Sequence, residues 1–589
     1  MTKLKILRQY MKEQNLSAVV IPTADMHLSE YISEHFKLRQ YISGFTGSAG
    51  TLAVTEAEAG LWTDGRYYIQ AEHELLGSGI SLYRASEKET VKLHEFLKES
   101  LSENDTVGLD GRLFSKKYLD SFISNLGNIK VNTDCDIAQI WENRPPMPME
   151  KAFLLAEKYN GENVSSKISR VRKIMQKNSF THYVVSAPEC IMWLLNIRGN
   201  DVKDTPVVLS YLMISQKKAI LYVQAEKLTR EVSAYLKEHN IEVAEYEKIY
   251  EDVQGLNDCD YTAVDFSLTN YSLVNKIASP KKDFKDIIYN LKCVKNNVEI
   301  ENIKKTYIKE NVALTKAFYE IYHSENIDEC DAVEIIERYR RENAEYISPS
   351  FDTIAAYGKN AAMMHYSPDK EKCARIGKNG LLLIDTGGQY FEGTTDTTRT
   401  LALEEISQEE KEAITLVLKG NISLASAVFP DGTKCSEIDA LARSVFWKKG
   451  LDYRCSTGHG VGYLLGVHEG PQRLSVSCNE VLKVGMTITD EPGIYMENEY
   501  GIRTENHLVV REAFQTEYGK FLCFEVLNYC PIGTESLLTE ILTTEEKNYI
   551  NEYNKKCREL ILPHLSEEES KWLISYTAPI MNSGKGWNF

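Results

Sequence analysis

The feature that most constrains this chain is a weak internal repeat in its first half. Tyr41-Ile-Ser-Gly-Phe-Thr-Gly-Ser48 is followed by Leu61-Trp-Thr-Asp-Gly-Arg-Tyr-Tyr-Ile-Gln-Ala-Glu72. Trp193-Leu-Leu-Asn-Ile-Arg-Gly-Asn200 is followed by Ala219-Ile-Leu-Tyr-Val-Gln-Ala-Glu226. Gly47 to Gly199 spans 152 residues and Gln70 to Gln224 spans 154, so the offset nearly holds. Each block joins a glycine turn to a short apolar strand and then to helical sequence, which predicts two copies of one α/β domain. Between them, Trp141-Glu-Asn-Arg-Pro-Pro-Met-Pro148 gathers three of the fifteen prolines. Such a stretch continues neither a helix nor a central strand. A second break falls near 280–298. The expected division is therefore 1–143, 144–297, 298–527 and a C-terminal extension, 528–589.

Composition narrows the class. With 43% apolar, 26% charged and 10% aromatic residues, 589 residues can bury several cores. The net charge of −17 argues against nonspecific nucleic-acid binding and against anionic membranes, which both need a basic face. No apolar run approaches the roughly 18 residues of a membrane span. Met1 to Asn15 has lysines and glutamate at helical spacing, not a signal peptide's apolar core. The twelve cysteines form no CxxC pair and read as reduced thiols. A cytoplasmic protein is expected.

After the second break, Ile300, Ile303, Tyr307, Leu314, Phe318 and Ile321 share one face of a predicted helix. Ser407-Gln-Glu-Glu410 and Thr543-Thr-Glu-Glu546 are capping-box starts of two more, the later helix ending by Pro563. Strands are predicted over 380–385, 394–400, 486–491 and 501–510, the first two paired as a hairpin. The last ten residues match no pattern.

This region holds five candidate metal ligands. Asp385 ends an apolar strand and Asp396 is expected within the next one. Aspartate is disfavoured in strands and an unpaired buried carboxylate is costly, so two on adjacent strands call for a cation. Taken singly, a strand aspartate is usually a salt-bridge partner. Glu491 closes a strand before Pro492. Alternation over 501–510 puts Arg503, Glu505 and His507 on one face. His459 lies in Thr457-Gly-His-Gly-Val-Gly462, whose glycines permit close backbone approach. Four carboxylates and an imidazole form an oxygen-rich set suited to Mn²⁺ and similar ions. They exceed what one ion needs and match a pair about 3.5–4 Å apart. His365, in Asn360-Ala-Ala-Met-Met-His-Tyr366, and His468, in Val467-His-Glu-Gly-Pro471, lack ligand spacing. Either could support a developing oxyanion or simply be a packed histidine.

The set Asp385, Asp396, His459, Glu491 and Glu505 resembles the dinuclear metallopeptidases of the pita-bread fold. Ser350-Phe-Asp-Thr-Ile354, Asp490-Glu-Pro-Gly493, Gly501-Ile-Arg-Thr-Glu-Asn506, Ser43-Gly-Phe-Thr-Gly-Ser-Ala-Gly-Thr51 and Trp62-Thr-Asp-Gly-Arg66 are similar to the three-domain cytosolic form of the Xaa-Pro aminopeptidase (aminopeptidase P) branch. The resemblance implies two related creatinase-like α/β domains followed by a pita-bread catalytic domain. It implies two Mn²⁺ ions, with Co²⁺ or Zn²⁺ as alternatives. Asp385 would bind one ion, His459 and Glu491 the other, and Asp396 and Glu505 both. A bridging hydroxide would attack the bond before a penultimate proline. Glu491 would shuttle the proton, His468 and His365 would support substrate, and Arg503 would orient Asp385. Peptides with proline second would be the substrates, and the protein would be a homodimer. The five ligands do not separate this activity from prolidase. The tandem N-terminal domains favour the aminopeptidase, and retention of all five argues against a non-catalytic peptide-binding module.

Overall fold

The computed structural model describes residues 2–581; residues 582–589, part of the unassigned tail, lie outside the described residues. The chain divides into two compact units, Met1–Glu157 with Glu162–Lys292, and Lys158–Gly161 with Cys293–Phe589.

The first unit contains two six-stranded sheets. In the first, β1 (Ala18–Pro22), β2 (Thr51–Thr55), β3 (Ala59–Thr63), β4 (Ser81–Arg84), β5 (Thr106–Gly108) and β6 (Lys130–Asn132) lie in the order β4-β3-β2-β1-β5-β6. In the second, β7 (His182–Val185), β8 (Tyr211–Ser215), β9 (Ala219–Tyr222), β10 (Ile241–Ala244), β11 (Thr262–Val264) and β12 (Lys281–Asp283) lie in the order β10-β9-β8-β7-β11-β12. The orders are the same place for place. So are the pairings, antiparallel between the first three strands and parallel elsewhere. The repeat in sequence is a repeat in fold. β1 shows why its residues are apolar throughout. Val19 and Ile21 enter the core on one face, Ala18 and Val20 the core on the other. A strand covered on both faces has no polar side to alternate with. The proline-rich stretch carries no regular element, and Trp141 stacks on Tyr41 with ring centres 4.7 Å apart.

In the second unit, α1 (Asn297–His323) is capped by Asn296, which accepts from the Val298 and Glu299 amides. All six apolar residues predicted for its inner face are buried. α2 (Glu329–Arg341) packs beside it, and both cover the strands β13 (Ile354–Tyr357), β14 (Leu381–Thr386) and β15 (Thr397–Ala402) through Leu314, Phe318, Ile336, Leu382, Ile384 and Leu401. α3 (Gln408–Ala425) starts at the Ser407–Glu410 capping box, as predicted. Beyond it lie the hairpins β16 (Gly458–Gly460) with β17 (Glu469–Leu474) and β19 (Gly493–Met496) with β20 (Tyr500–Arg503). β18 (Thr487–Asp490) pairs with β21 (Asn506–Thr516), which continues into β22 (Gly519–Val526). The late helix runs over Thr544–Ile561 from its Thr543 cap, as predicted.

Two strand predictions need correction. The segment 394–400 is not continuous, because Thr395 and Asp396 fall between strands. The Asp396 backbone is held instead by the Tyr307 hydroxyl, which accepts from its N–H at 3.1 Å and donates to its carbonyl at 3.2 Å. The segment 501–510 also breaks, at Thr504 and Glu505. Arg503 pairs with Gly493 and Asn506 with Asp490, so the chain passes from one ladder to another. The Glu505 amide bridges the gap by donating to the Thr398 carbonyl at 3.0 Å. Both breaks free a carboxylate from the pleat.

Candidate metal centre

β14 and β15 pair antiparallel with Asp385 opposite Thr398, so Asp385 and the break that carries Asp396 lie at the same end of the ladder. Glu505 reaches this place from the β20–β21 break, and its Oε2 accepts from the Thr398 hydroxyl at 2.8 Å. Glu491 follows β18 directly. β16 brings His459 alongside β18, where glycine is obligatory. A Cβ on Gly458 would lie 1.8 Å from the Thr489 carbonyl oxygen, and one on Gly460 2.3 Å from that of Glu469.

His459 Nδ1 donates to the Gly460 carbonyl at 2.8 Å, which turns Nε2 toward the carboxylates. Nε2 is 3.3 Å from Glu491 Oε1 and 3.5 Å from Asp396 Oδ2. Asp396, His459 and Glu505 each offer a ligand atom, all within 4.8 Å of one another. Asp385 is bound by the Arg503 guanidinium through Oδ2, while its Oδ1 is buried with no hydrogen-bond partner. Glu505 Oε1 is likewise buried and unpartnered. Arg503 also donates to the Thr398 hydroxyl at 3.1 Å and the Tyr495 hydroxyl at 2.6 Å.

The charges do not balance. Burial, and then the neighbouring carboxylates, push Asp396 and Glu505 well above the usual carboxylate range. Burial also raises Asp385, against the opposing pull of Arg503. Glu491 alone goes down, to about 2. Burial works against that shift, and the hydrogen bond and charge of His459, with Arg503 and His468, overcome it. Two orphaned carboxylate oxygens, an imidazole nitrogen turned toward them and a surplus of acid form a donor set that fits divalent cations and leaves more oxygens than one ion would use.

Of the remaining expected residues, His468 lies against the ligand set, its ring 4.3 Å from that of His459 and edge-on at 81°. His365 is half-buried just after the single turn Gly358–Ala362, which packs on β20. A Cβ on Gly501 would lie 1.8 Å from the Ala361 carbonyl oxygen. Sequence reasoning missed Tyr307 and His507 as supports. Tyr307 reads as one more residue of an apolar helix face, yet its hydroxyl holds Asp396 and contacts His507 Nδ1 at 2.8 Å. Burial, then the Lys295 and His459 charges, takes His507 down to about 3, so its ring is neutral. The spacing two residues beyond Glu505 was the available signal.

Comparison with known proteins gives the family. Residues 301–512 match metallopeptidase family M24, and 520–580 match the C-terminal region of peptidase M24. Residues 3–140 and 143–299 each match the creatinase/prolidase N-terminal domain. A probable Xaa-Pro aminopeptidase P of Sordaria macrospora is 36% identical over 98% of this chain and 99% of its own. The Xaa-Pro aminopeptidase 1 of Dictyostelium discoideum is 36% identical over 98% and 96%. The crystal structure of the Caenorhabditis elegans X-prolyl aminopeptidase, described as a cytosolic enzyme with a di-nuclear active site, superposes with a TM-score of 0.94 at 29% identity, covering 98% of this chain and 99% of that one. The chain belongs to the Xaa-Pro aminopeptidases of metallopeptidase family M24.

Proposed function

We propose that this enzyme removes the first residue from peptides whose second residue is proline, with two Mn²⁺ ions held by Asp385, Asp396, His459, Glu491 and Glu505. The observation that carries the reading is the surplus of buried carboxylate around His459 Nε2, with Asp385 Oδ1 and Glu505 Oε1 left unpartnered. When bound, such ions would polarise the scissile carbonyl as Lewis acids and lower the pKa of water enough to make it a nucleophile at neutral pH. Proline makes the scissile bond a tertiary amide without an N–H, so recognition rests on the carbonyl and on ring shape.

The chain's own groups have distinct parts. Arg503 fixes the Asp385 carboxylate, and Thr398 fixes that of Glu505. Tyr307 sets the position of Asp396 through the backbone. Glu491, whose carboxyl stays ionised in spite of its burial, is available to take a proton on a carboxylate oxygen and return it to the leaving proline nitrogen. We assign His468, whose ring lies beside that of His459, the steadying of the substrate carbonyl, and His365 the same service from its loop. We extend the reading to a cytoplasmic homodimer, in line with the C. elegans relative being described as cytosolic. The boundaries 1–143, 144–297, 298–527 and 528–589 are supported by family matches that change over at nearby positions.

The test uses purified protein with Mn²⁺, and separately with chelator, on Arg-Pro-Pro, Ala-Pro and Ala-Ala-Ala. Metal-dependent release of free arginine with little dipeptide cleavage is expected. Cleavage of the dipeptide alone would make it a prolidase. Metal binding with no cleavage at all would leave only a peptide-binding module.

A further inference from the structure

Away from the metal centre, two of the twelve cysteines face each other across a short antiparallel contact. Asp328 bridges Arg375, flanked by the Glu329 amide donating to the Ala374 carbonyl at 3.1 Å and the Ile376 amide donating to the Ile327 carbonyl at 3.0 Å. Continuing that register two places sets Cys330, in the first turn of α2, opposite Cys373. Both thiols are half-buried, and their sulfurs and a carboxylate oxygen of Asp328 all lie within 4.8 Å of one another. Nothing in the peptidase reaction uses them.

The segment they would join is already tied to one point. Glu329, fully buried beside Cys330, accepts from the Tyr357 amide at 2.7 Å, the Asn360 side chain at 3.0 Å, the Tyr366 hydroxyl at 2.6 Å and the Ala374 amide at 2.7 Å. Residues 357 to 374 therefore hang from the start of α2, and His365 lies within that loop.

We propose that Cys330 and Cys373 are a reversible redox pair that closes to a disulfide and staples the His365 loop to the N-terminus of α2. With the sulfurs within 4.8 Å of each other, closing to the about 2.05 Å of a disulfide asks for a short movement, and Cys373 is on a segment without helix or strand that can supply it. Burial, then Cys373, Asp328 and Glu329, push the Cys330 thiol up; Cys373, on the segment without helix or strand, is the sulfur assigned to meet the reagent first. With a small-molecule disulfide such as oxidised glutathione, the Cys373 thiolate forms a mixed disulfide and expels one glutathione thiolate. Cys330 then attacks the Cys373 sulfur and expels the second. Two protein thiols and one glutathione disulfide become one protein disulfide and two glutathione thiols. Cys435, which neighbours Cys478, is fully buried, and that shields it from such a reagent.

The experiment treats the Mn²⁺-loaded full chain with oxidised glutathione, alkylates the remaining thiols and maps peptides by mass spectrometry. A linked Cys330–Cys373 peptide, reopened by reduced glutathione, is expected, with hydrogen exchange over residues 366–376 slowed at least tenfold. In Cys373→Ser the link and the slowing should both disappear while Cys330 stays alkylatable. Exposed Cys259 reports that the oxidant acts. If Cys259 is glutathionylated while Cys330 and Cys373 both remain alkylatable, the proposal fails. It fails equally if stoichiometric Zn²⁺ binds Asp328, Cys330 and Cys373 in the reduced protein and resists glutathione, which would make the cluster a cation site.

Discussion

Two of the buried acidic clusters of the second unit are held in opposite ways. Glu310 is fully buried, and its two oxygens are met by Arg340 and by the Tyr390 hydroxyl at 2.7 Å. Arg340 is itself fully buried and also holds Glu337 at 3.1 Å. Every charge there has a protein partner. At the metal centre four carboxylates gather around one guanidinium and one histidine, and two oxygens have no partner. A buried acid answered by the chain is structure, because its desolvation is offset locally. A buried acid left unanswered needs something from solution, and the fold holds the surplus in place for it.

Four measurements would sharpen or break this contrast. Asp396→Ala should reduce kcat/KM by about 10³-fold or more, since the ligand is expected to serve both ions. Its metal content, read by mass spectrometry of the native protein, should fall as well, and an active variant with a full metal complement would break the dinuclear assignment. In Glu310→Gln the effect should be on folding. The denaturant midpoint of the catalytic unit should fall by the equivalent of about 3–5 kcal/mol, because Arg340 loses a buried counter-charge, while whatever protein remains folded keeps its metal. His468→Ala should reduce kcat about 10²-fold with metal content unchanged; loss of metal would make it a ligand. Arg503→Lys should weaken metal binding by about 10–100-fold, since a lysine does not reproduce the fork that orients Asp385.

The smallest effect is in pH. The folded metal-free protein holds protons on Asp396, Glu505 and Asp385 that the unfolded chain releases near pH 4. Raised carboxylates make its stability fall as pH rises above that point, until those groups ionise. Glu491 has the opposite sign, and its contribution is lost only as pH falls toward about 2. Because ions compete with the retained protons, the thermal shift produced by Mn²⁺ should be larger at pH 8 than at pH 6. Equal shifts would mean that the carboxylates are already ionised in the metal-free fold.

Much of this was legible in the chain. The six apolar positions of α1, the capping boxes at Ser407 and Thr543 and the glycines around His459 each act within a few residues, so spacing alone exposes them. The twofold sheet architecture was legible as a repeat because both copies must cover a strand on two faces. The breaks at Asp396 and Glu505 were not. Their segments have strand-like composition, and the groups that end the ladder, the Tyr307 hydroxyl and the Thr398 carbonyl, come from 89 and 107 residues away. Tyr307 was hidden for the same reason, since a tyrosine on an apolar face looks like core until its hydroxyl has a partner.

By itself the sequence determined which residue types were available as ligands and where the capped helices begin, because those depend on local periodicity and donor chemistry. Only the tertiary structure decided where two of the strands break, which carboxylates go unanswered, which imidazole nitrogen faces them and which two cysteines face each other. Those are properties of distance and burial, and distance between residues far apart in the chain exists only once it has folded.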